Sequence, residues 1–260
     1  MISTLAFILL CVACVIQIIF LIKNRKPDPF SHYIVILASA LLFYTIIDRS
    51  IKINFVAITH TFESLVFFAG VISLVLFIYR IKNKDQTLPL IIFGGTVITI
   101  ILLAIASSPI APKEVLPPVP ALQSAWLVLH VSFAFIGEAF FAISFVAAIY
   151  YLFVKDKDKQ KNIDRIIYTS IAIGFPIYTA GALIFGAIWA QYAWGSFWSW
   201  DPKETWSLIT WLTYTVYLHT RFIKKLKGKP SAIFAIIGFV FTIFTYFGVN
   251  FLLSGLHSYG

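Results

Sequence analysis

Charged side chains are scarce in this sequence. Only 12% of its 260 residues are Asp, Glu, Lys or Arg, whereas 60% are apolar and the mean hydropathy is +0.91. A composition with so few charges excludes an ordinary soluble globular chain and indicates a protein that crosses a membrane several times. Little sequence remains outside the apolar segments, so a large soluble domain is excluded as well.

Cysteine is also scarce, because Cys11 and Cys14 are the only two in the chain. They form a CxxC pair in the middle of the first apolar segment. This spacing occurs in redox and metal sites, but thiols buried in an apolar helix are usually inert small hydrophobes. We therefore predict that the outer face of the protein carries no reactive thiol of its own.

The apolar residues fall into eight segments, most of them close to the ~20 residues that cross roughly 30 Å of hydrocarbon. Because backbone groups in lipid must bond internally, we predict that these segments are the transmembrane helices of an all-α bundle. One integral membrane domain would then cover residues 1–260. The predicted spans are residues 2–22, 31–47, 62–79, 87–107, 124–154, 166–188, 205–222 and 231–252.

The net charge of +9 does not indicate a nucleic-acid partner, because the basic residues are unevenly distributed. Sixteen of the 20 Lys and Arg lie in four alternate connections between the predicted helices. The positive-inside rule places these connections on the inner side of the membrane, so both termini are predicted to face outward. The first helix carries its basic residues after the apolar run, which favours a retained helix over a cleaved signal peptide. The four basic connections are residues 23–29, 80–85, 155–165 and 221–229.

Tryptophan is concentrated in one stretch, residues 189–211, which holds six of the seven. Between Gln191 and Glu204 this stretch is too polar to cross a bilayer, although apolar segments flank it. Tryptophans that only anchor a protein are spread over both membrane interfaces, whereas the inner interface here has none. We therefore predict that residues 189–206 form an aromatic loop on the outer face that binds a flat ligand. The six are Trp189, Trp194, Trp198, Trp200, Trp206 and Trp211.

Three histidines are candidate ligands for a metal at the centre of such a flat molecule. Counted from the inner anchor at Lys155, His130 lies just beyond the hydrocarbon at the outer end of the fifth helix. His257 follows the outer end of the eighth helix, so both are predicted at the depth of the tryptophans. His219 lies roughly 25 Å along the seventh helix, near the inner leaflet. On position alone, each histidine fits a headgroup or backbone contact as well as a metal.

The seventh helix has a recognisable start. Asp201, Pro202 and Glu204 occupy the N-cap, N1 and N3 positions of a capping box. Asp201 is predicted to cap the helix, and its place beside the tryptophans also allows it to support a ligand. The roles of two further charged residues stay open. Lys203 could contact an acidic group of the ligand or be solvated. Glu138 could line a route between the two depths or form a hydrogen bond to a neighbouring helix.

The run WGSFWSWDPKETWSLITW, residues 194–211, resembles the WWD domain of heme-handling proteins, and its DPKETW part resembles the CcsA branch, also called ResC. The eight segments, the LHV at His130, the LHTR at His219 and the terminal GLHSYG at His257 are similar to that family as well. The likeness extends over most of the chain from residue 60 onward.

This resemblance implies a role in the System II pathway of cytochrome c biogenesis, where CcsA proteins act with a membrane partner, CcsB or ResB. The chain would be a subunit of a cytochrome c synthase, or heme lyase. It would convey heme b across the membrane and present it on the outer face for thioether attachment to the CxxCH motif of apocytochrome c. We expect a multi-pass protein of the bacterial cytoplasmic membrane, with the plastid thylakoid membrane as the alternative.

The resemblance also assigns residues. His130 and His257 would be the axial ligands of an outer heme, and His219 would bind a deeper heme whose second ligand comes from the partner. No catalytic residue is assigned apart from these ligands, and His60 is not assigned. The heme platform would comprise Trp189, Trp194, Trp198, Trp200, Asp201 and Trp206.

Two other functions stay open. A heme exporter or chaperone of the CcmC type would deliver heme without attaching it, although CcmC-like chains generally have six helices and lack DPKETW. A structural or quinone-linked subunit of a respiratory complex would use its tryptophans only as anchors.

Overall fold

The computed structural model describes residues 2–23, 28–82, 87–253 and 255. Over these ranges the regular secondary structure is helical and no strand is present, which confirms the all-α prediction. Seven helices of the described chain are long and apolar enough to cross a membrane, and an eighth, less apolar helix covers the predicted seventh span. The helices are α1 (Ile2–Lys23), α2 (Ser31–Ile53), α3 (Thr61–Lys82), α4 (Leu88–Ala106), α5 (Ala125–Phe153), α6 (Lys157–Tyr178), α7 (Gly186–Trp194), α8 (Pro202–Thr220), α9 (Lys229–Ile243) and α10 (Val249–Leu252).

Two π-helical segments connect helices without breaking them. The first π segment, Thr179–Phe185, joins α6 to α7, so one apolar helical stretch runs from Lys157 to Trp194. The second π segment, Phe244–Gly248, joins α9 to α10 in the same way. A π segment closes i→i+5 hydrogen bonds and is often found at functional sites.

Two predicted boundaries differ from the observed ones. Helix α2 continues to Ile53, six residues beyond the predicted end of that span. Helix α6 begins at Lys157, so most of the predicted inner connection 155–165 is helical. The reason is a local cap, because the Asp156 carboxylate accepts hydrogen bonds from the backbone N–H groups of Asp158 and Lys159. Hydropathy marks the part of a helix that lies in lipid and misses a polar extension beyond it.

The helices fall into two compact units, residues 1–123 and 124–260; a single integral membrane domain stays a prediction. In the first unit, α1 and α3 each pack against α2 and α4. Its core contains fully buried aliphatic side chains, among them Leu10, Leu42, Leu65, Ile72 and Leu76. The outward face of α1 is apolar and exposed, as lipid contact requires: Leu5, Ile8, Val12, Val15 and Ile19.

A buried ion pair lies at the end of α2 in this unit. The Arg49 guanidinium donates from Nε to Glu63 Oε1 over 2.7 Å, and both side chains are buried. Its other two nitrogens donate to the backbone carbonyls of Lys113 and Glu114 at 3.0 and 2.7 Å. A buried charge is tolerated only when it is paired and hydrogen-bonded, so the contact with Arg49 explains why the Glu63 carboxylate can be buried. The bonds from Arg49 to the two carbonyls also fix the proline-rich segment after α4.

The second unit is built around α5, which packs against α6, the first π segment, α7 and α9. Its contact with α6 is close because Gly137 and Gly174 face each other: a Cβ added at Gly174 would lie 2.8 Å from the Gly137 carbonyl oxygen. Large aromatic side chains fill the interior, and Phe141 stacks on Tyr214 with ring centroids 3.7 Å apart. These contacts make α5 a rigid support for the residues at its N-terminal end.

Another ion pair lies at the C-terminal end of α8. Arg221 donates two hydrogen bonds to the carboxylate of Asp164, at 2.7 and 2.8 Å, and its guanidinium lies over the Tyr168 ring. The hydrogen bonds from Arg221 to Asp164 raise the pKa of Arg221 above its ordinary value. The bidentate geometry ties the end of α8 to α6.

Candidate functional site

The tryptophan-rich stretch consists of two helix ends and a short connection rather than one continuous loop. Helix α7 includes Trp189 and ends at Trp194, where Gly195 adopts a left-handed conformation (φ 79°). Helix α8 begins at Pro202, so only residues 195–201 of the predicted 189–206 loop are non-helical. The tryptophans are therefore held on two helices and the connection between them.

His130 lies in the second turn of α5, packed against α7 and the first π segment. Its Nδ1 is 2.9 Å from the backbone carbonyl oxygen of Gly181. Its ring is parallel to that of Trp189, with an interplanar angle of 5° and centroids 6.1 Å apart. Trp189 is only 1% exposed, and Trp194 meets it edge to face at 5.7 Å and 75°. His130, Trp189 and Trp194 thus form one aromatic cluster, with His130 half-buried.

The connection 195–201 is organised by Glu204. Its Oε2 accepts hydrogen bonds from the backbone N–H groups of Ser199 and Asp201, at 2.8 and 3.3 Å, and from the Ser199 hydroxyl. Trp200 has φ 58°, a backbone conformation that bulky residues rarely adopt. Its side chain is 70% exposed and meets Trp198 edge to face at 5.7 Å. The connection therefore holds an indole outward in a strained conformation.

The predicted capping box is confirmed. The Asp201 carboxylate caps α8, and the Glu204 side chain bonds back to the N-cap backbone. Asp201 is buried, and a Cβ added at Gly255 would overlap its Oδ1, so the chain beyond α10 returns to the start of α8. His257 lies outside the described residues, two positions beyond Gly255. Its role as a ligand stays a prediction.

Lys203 and Glu138 occupy the interior of the second unit near the same helix start. Lys203 donates from Nζ to Asn250 Oδ1 over 2.9 Å, so it is engaged by α10 rather than solvated. Glu138 is buried in α5, where an ionisable group is costly unless it is paired or protonated.

Two tryptophans of the stretch lie elsewhere on α8. Trp206 packs on Phe241 and Phe244, with ring centroids 5.6 and 4.2 Å away. Trp211 donates from Nε1 to the Thr179 hydroxyl over 2.9 Å, at the first residue of the first π segment. The described contacts of Trp206 thus link α8 to α9 and the second π segment, and they do not join it to the cluster at His130.

His219 lies in the last turn of α8, at the opposite end from Asp201, and its side chain is exposed. Its Nδ1 is 2.7 Å from the backbone carbonyl oxygen of Thr215. A carbonyl oxygen only accepts, so in both His130 and His219 the Nδ1 atom carries a proton. In the neutral form of each ring the lone pair then resides on Nε2, the arrangement in which histidine binds a metal.

Sequence reasoning missed several groups that position the candidate site. The Gly181 carbonyl, the start of α7 at Gly186 and the Asn250 amide have no predicted role. The signal that could have found two of them is the spacing of Gly174, Gly181 and Gly186 along one apolar segment, which indicates a close helix contact.

Comparison with known proteins places the chain in a family. Residues 58–257 match the family described as cytochrome C assembly protein. The cytochrome c biogenesis protein CcsA of Chlamydomonas reinhardtii is 37% identical over 254 residues, which cover 92% of this chain and 71% of that relative. The CcsA protein of Cyanophora paradoxa is 34% identical, with 92% and 89% covered. That of Prochlorococcus marinus (strain MIT 9515) is 34% identical, with 91% and 86% covered.

The match spans α3 to the terminal segment and includes every residue of the aromatic cluster. The resemblance drawn from the DPKETW run is confirmed by these relatives, which are similar over most of the chain. With its membrane-spanning helices, the chain belongs to the CcsA branch of the cytochrome c assembly protein family and has a role in cytochrome c maturation.

Proposed function

We propose that this protein binds heme b on the outer side of the membrane through His130 and presents it to apocytochrome c. The observation that carries the proposal is the cluster at the start of α5, where a half-buried imidazole with a protonated Nδ1 stands beside tryptophans. Such an imidazole offers Nε2 to an iron, and indole rings can cover the large apolar faces of a porphyrin.

The tryptophans have different roles in this proposal. An imidazole that binds iron stands perpendicular to the porphyrin, and Trp189 is parallel to that imidazole and buried. Trp189 therefore supports His130 instead of lying flat on the heme. Trp194, turned by 75° from Trp189, and the exposed Trp200 are the indoles suited to contact the porphyrin, together with Trp198.

His257 is the proposed second axial ligand. The supporting observation is the contact of Gly255 with Asp201, since it brings the chain two residues before His257 to the tryptophan-bearing connection. Two histidines would keep the iron six-coordinate and limit reactions with oxygen while the vinyl groups are presented. Heme would supply those vinyl groups, and each thioether forms when a cysteine S–H of apocytochrome c adds across one vinyl double bond.

His219 is the proposed ligand of a second heme near the inner leaflet. It is exposed at the end of α8, with its Nδ1 donating to the Thr215 carbonyl. Its exposure fits a site that is completed by a ligand from a membrane partner of the CcsB or ResB type. Heme would then pass from this site to the outer one. We propose that the protein resides in the bacterial cytoplasmic membrane.

Reconstitution tests this function against the delivery-only alternative. The purified chain, its CcsB-type partner, heme and a CxxCH-containing apocytochrome c are combined in liposomes under reducing conditions, and covalent heme is scored by heme staining after denaturation. Covalent product that depends on His130 supports a synthase. Release of heme to the apoprotein with no thioether formed would instead identify a chaperone of the CcmC type.

A further inference from the structure

The first π segment, Thr179–Phe185, has an unusual relationship to His130. Its Gly181 carbonyl accepts the i→i+5 hydrogen bond from the backbone N–H of Gly186 and, with its second lone pair, the hydrogen bond from His130 Nδ1. Compared with a continuous α-helix, a π segment accommodates an additional residue and turns the helix that follows. That helix is α7, which carries Trp189 to the face of the same imidazole.

Close approach to α5 requires glycine at two positions of this stretch. A Cβ added at Gly181 would overlap the backbone at Phe133 and Ala134 of α5. A Cβ added at Gly186 would lie 2.9 Å from His130 Nδ1 and 3.1 Å from Cε1. A side chain at either position would therefore push the π segment or the imidazole out of place.

The π segment is also held at both of its ends. The Trp211 indole donates to the Thr179 hydroxyl, and Phe185 meets Phe133 edge to face at 5.2 Å. Both ends of the segment are thus held against neighbouring helices, so the Gly181 carbonyl has a defined position relative to α5.

We propose that the first π segment is the positioning element of the outer heme ligand. Its Gly181 carbonyl fixes His130 in the Nδ1-protonated tautomer, and the turn that it imposes on α7 clamps the imidazole with Trp189. Nε2 is thereby aimed at the iron, and the hydrogen bond to the carbonyl makes the imidazole a stronger electron donor. This inference rests on the proposed function, because it assumes that His130 binds heme.

The test compares two glycine substitutions in the second unit. Gly186→Ala places a methyl group against His130, and Gly238→Ala is the matched control, because its added Cβ would lie 2.7 Å from the Tyr214 ring, away from His130. Both are made in a His219→Gly background, so that the heme measured belongs to the outer site. The proteins are purified with their partner and titrated with added heme, so that loading does not depend on the inner site, and are assayed for folded yield, heme affinity and midpoint potential.

Gly186→Ala is expected to lower heme affinity about 10-fold or more, the usual effect of disturbing the hydrogen-bond partner of a metal-binding histidine. The heme that remains should have a raised midpoint potential, since a weaker donor stabilises ferric iron less. Gly238→Ala should change neither quantity at equal folded yield. In a His130→Gly protein supplied with imidazole, adding Gly186→Ala should have no further effect, because no tethered ring remains to be displaced.

A milder pair keeps the inference testable if Gly186→Ala does not fold. Thr179→Val removes the hydroxyl that accepts from Trp211, and Thr213→Val is its control, since the Thr213 hydroxyl donates to the Ile209 carbonyl of its own helix. Thr179→Val alone should raise the midpoint potential. The inference is overturned if Gly186→Ala and Thr179→Val have the same heme affinity and midpoint potential as their controls, Gly238→Ala and Thr213→Val. Retention of outer heme by His130→Gly overturns the proposed function itself, so the two failures are distinguishable.

Discussion

Lys203 and Asn250 are 47 positions apart in sequence and join two helices, because the lysine Nζ donates a hydrogen bond to the asparagine Oδ1 over 2.9 Å. The bond ties the first turn of α8, next to Asp201, to α10. Because the chain after α10 returns to Asp201 at Gly255, this hydrogen bond supports the part of the molecule that leads to His257.

We expect Lys203→Met to weaken the outer heme site and to lower cytochrome c maturation. Hydrogen bonds to charged groups contribute about 1.5 to 3 kcal/mol, and their loss frees α10 from α8. Asn250→Leu should have the same effect. The double variant should be little worse than either single variant, because each single change already removes the same hydrogen bond. Heme per chain and maturation in cells are the measurements. Additive losses would show that Lys203 acts elsewhere, for example on a heme propionate.

Glu204→Ala is expected to loosen the connection 195–201. The carboxylate of Glu204 accepts from the backbone of Ser199 and Asp201, and loss of a capping interaction costs about 1 kcal/mol. Heme content should fall together with that local stability. Limited proteolysis within residues 195–201 measures the loosening directly, and Glu114→Ala, a change of an exposed glutamate in the first unit, is the control. Unchanged proteolysis in Glu204→Ala would show that the connection is held by other contacts.

The variant Trp200→Gly distinguishes the backbone strain at this position from the proposed contact of the Trp200 indole with heme. Glycine adopts the observed φ of 58° without steric cost, so the variant should be at least as stable as the parent in thermal unfolding. Maturation should nevertheless fall, because an exposed indole proposed to contact heme is lost. The control is Tyr192→Ala on α7, which removes another exposed aromatic ring and should leave maturation near the parent level. A loss of stability without a loss of maturation would contradict this role.

Arg49 and Glu63 offer a double-mutant cycle in the first unit. Removing one partner of a buried pair leaves an uncompensated charge and costs about 3 to 5 kcal/mol, so Arg49→Met and Glu63→Leu should each lower the unfolding temperature strongly. The double variant should recover much of the loss, although Arg49→Met also removes the bonds to the carbonyls of Lys113 and Glu114. Thermal unfolding in detergent measures all four proteins, and strictly additive losses would argue against direct pairing.

The all-α fold and most spans can be predicted from hydropathy, and the start of α8 from its capping box. Each of these depends on residues close in sequence, such as Asp201 and Glu204. The extension of α6 to Lys157 cannot be predicted from hydropathy, since that part of the helix is polar.

The details of the candidate site depend on contacts between distant segments. The sequence predicts His130 as a ligand, but its bond to the Gly181 carbonyl joins residues 51 positions apart and arises from a π segment with no clear sequence signature. Similarly, the sequence allows Lys203 either a contact with an acidic ligand group or solvent, because nothing near it in sequence indicates Asn250. The glycine spacing indicates a close helix contact, but it does not indicate which side chain donates to the Gly181 carbonyl.

The most direct test of the central claim is the Soret absorbance of the His219→Gly protein, purified with its partner and loaded with added heme, compared with that of the same protein carrying His130→Gly and His257→Gly. We predict that the double change abolishes the outer-site absorbance. In the protein that keeps His219, maturation should be lost in each of the single variants His130→Gly and His257→Gly and partly restored by added imidazole. An unchanged Soret band in the double variant would contradict axial ligation by these two residues.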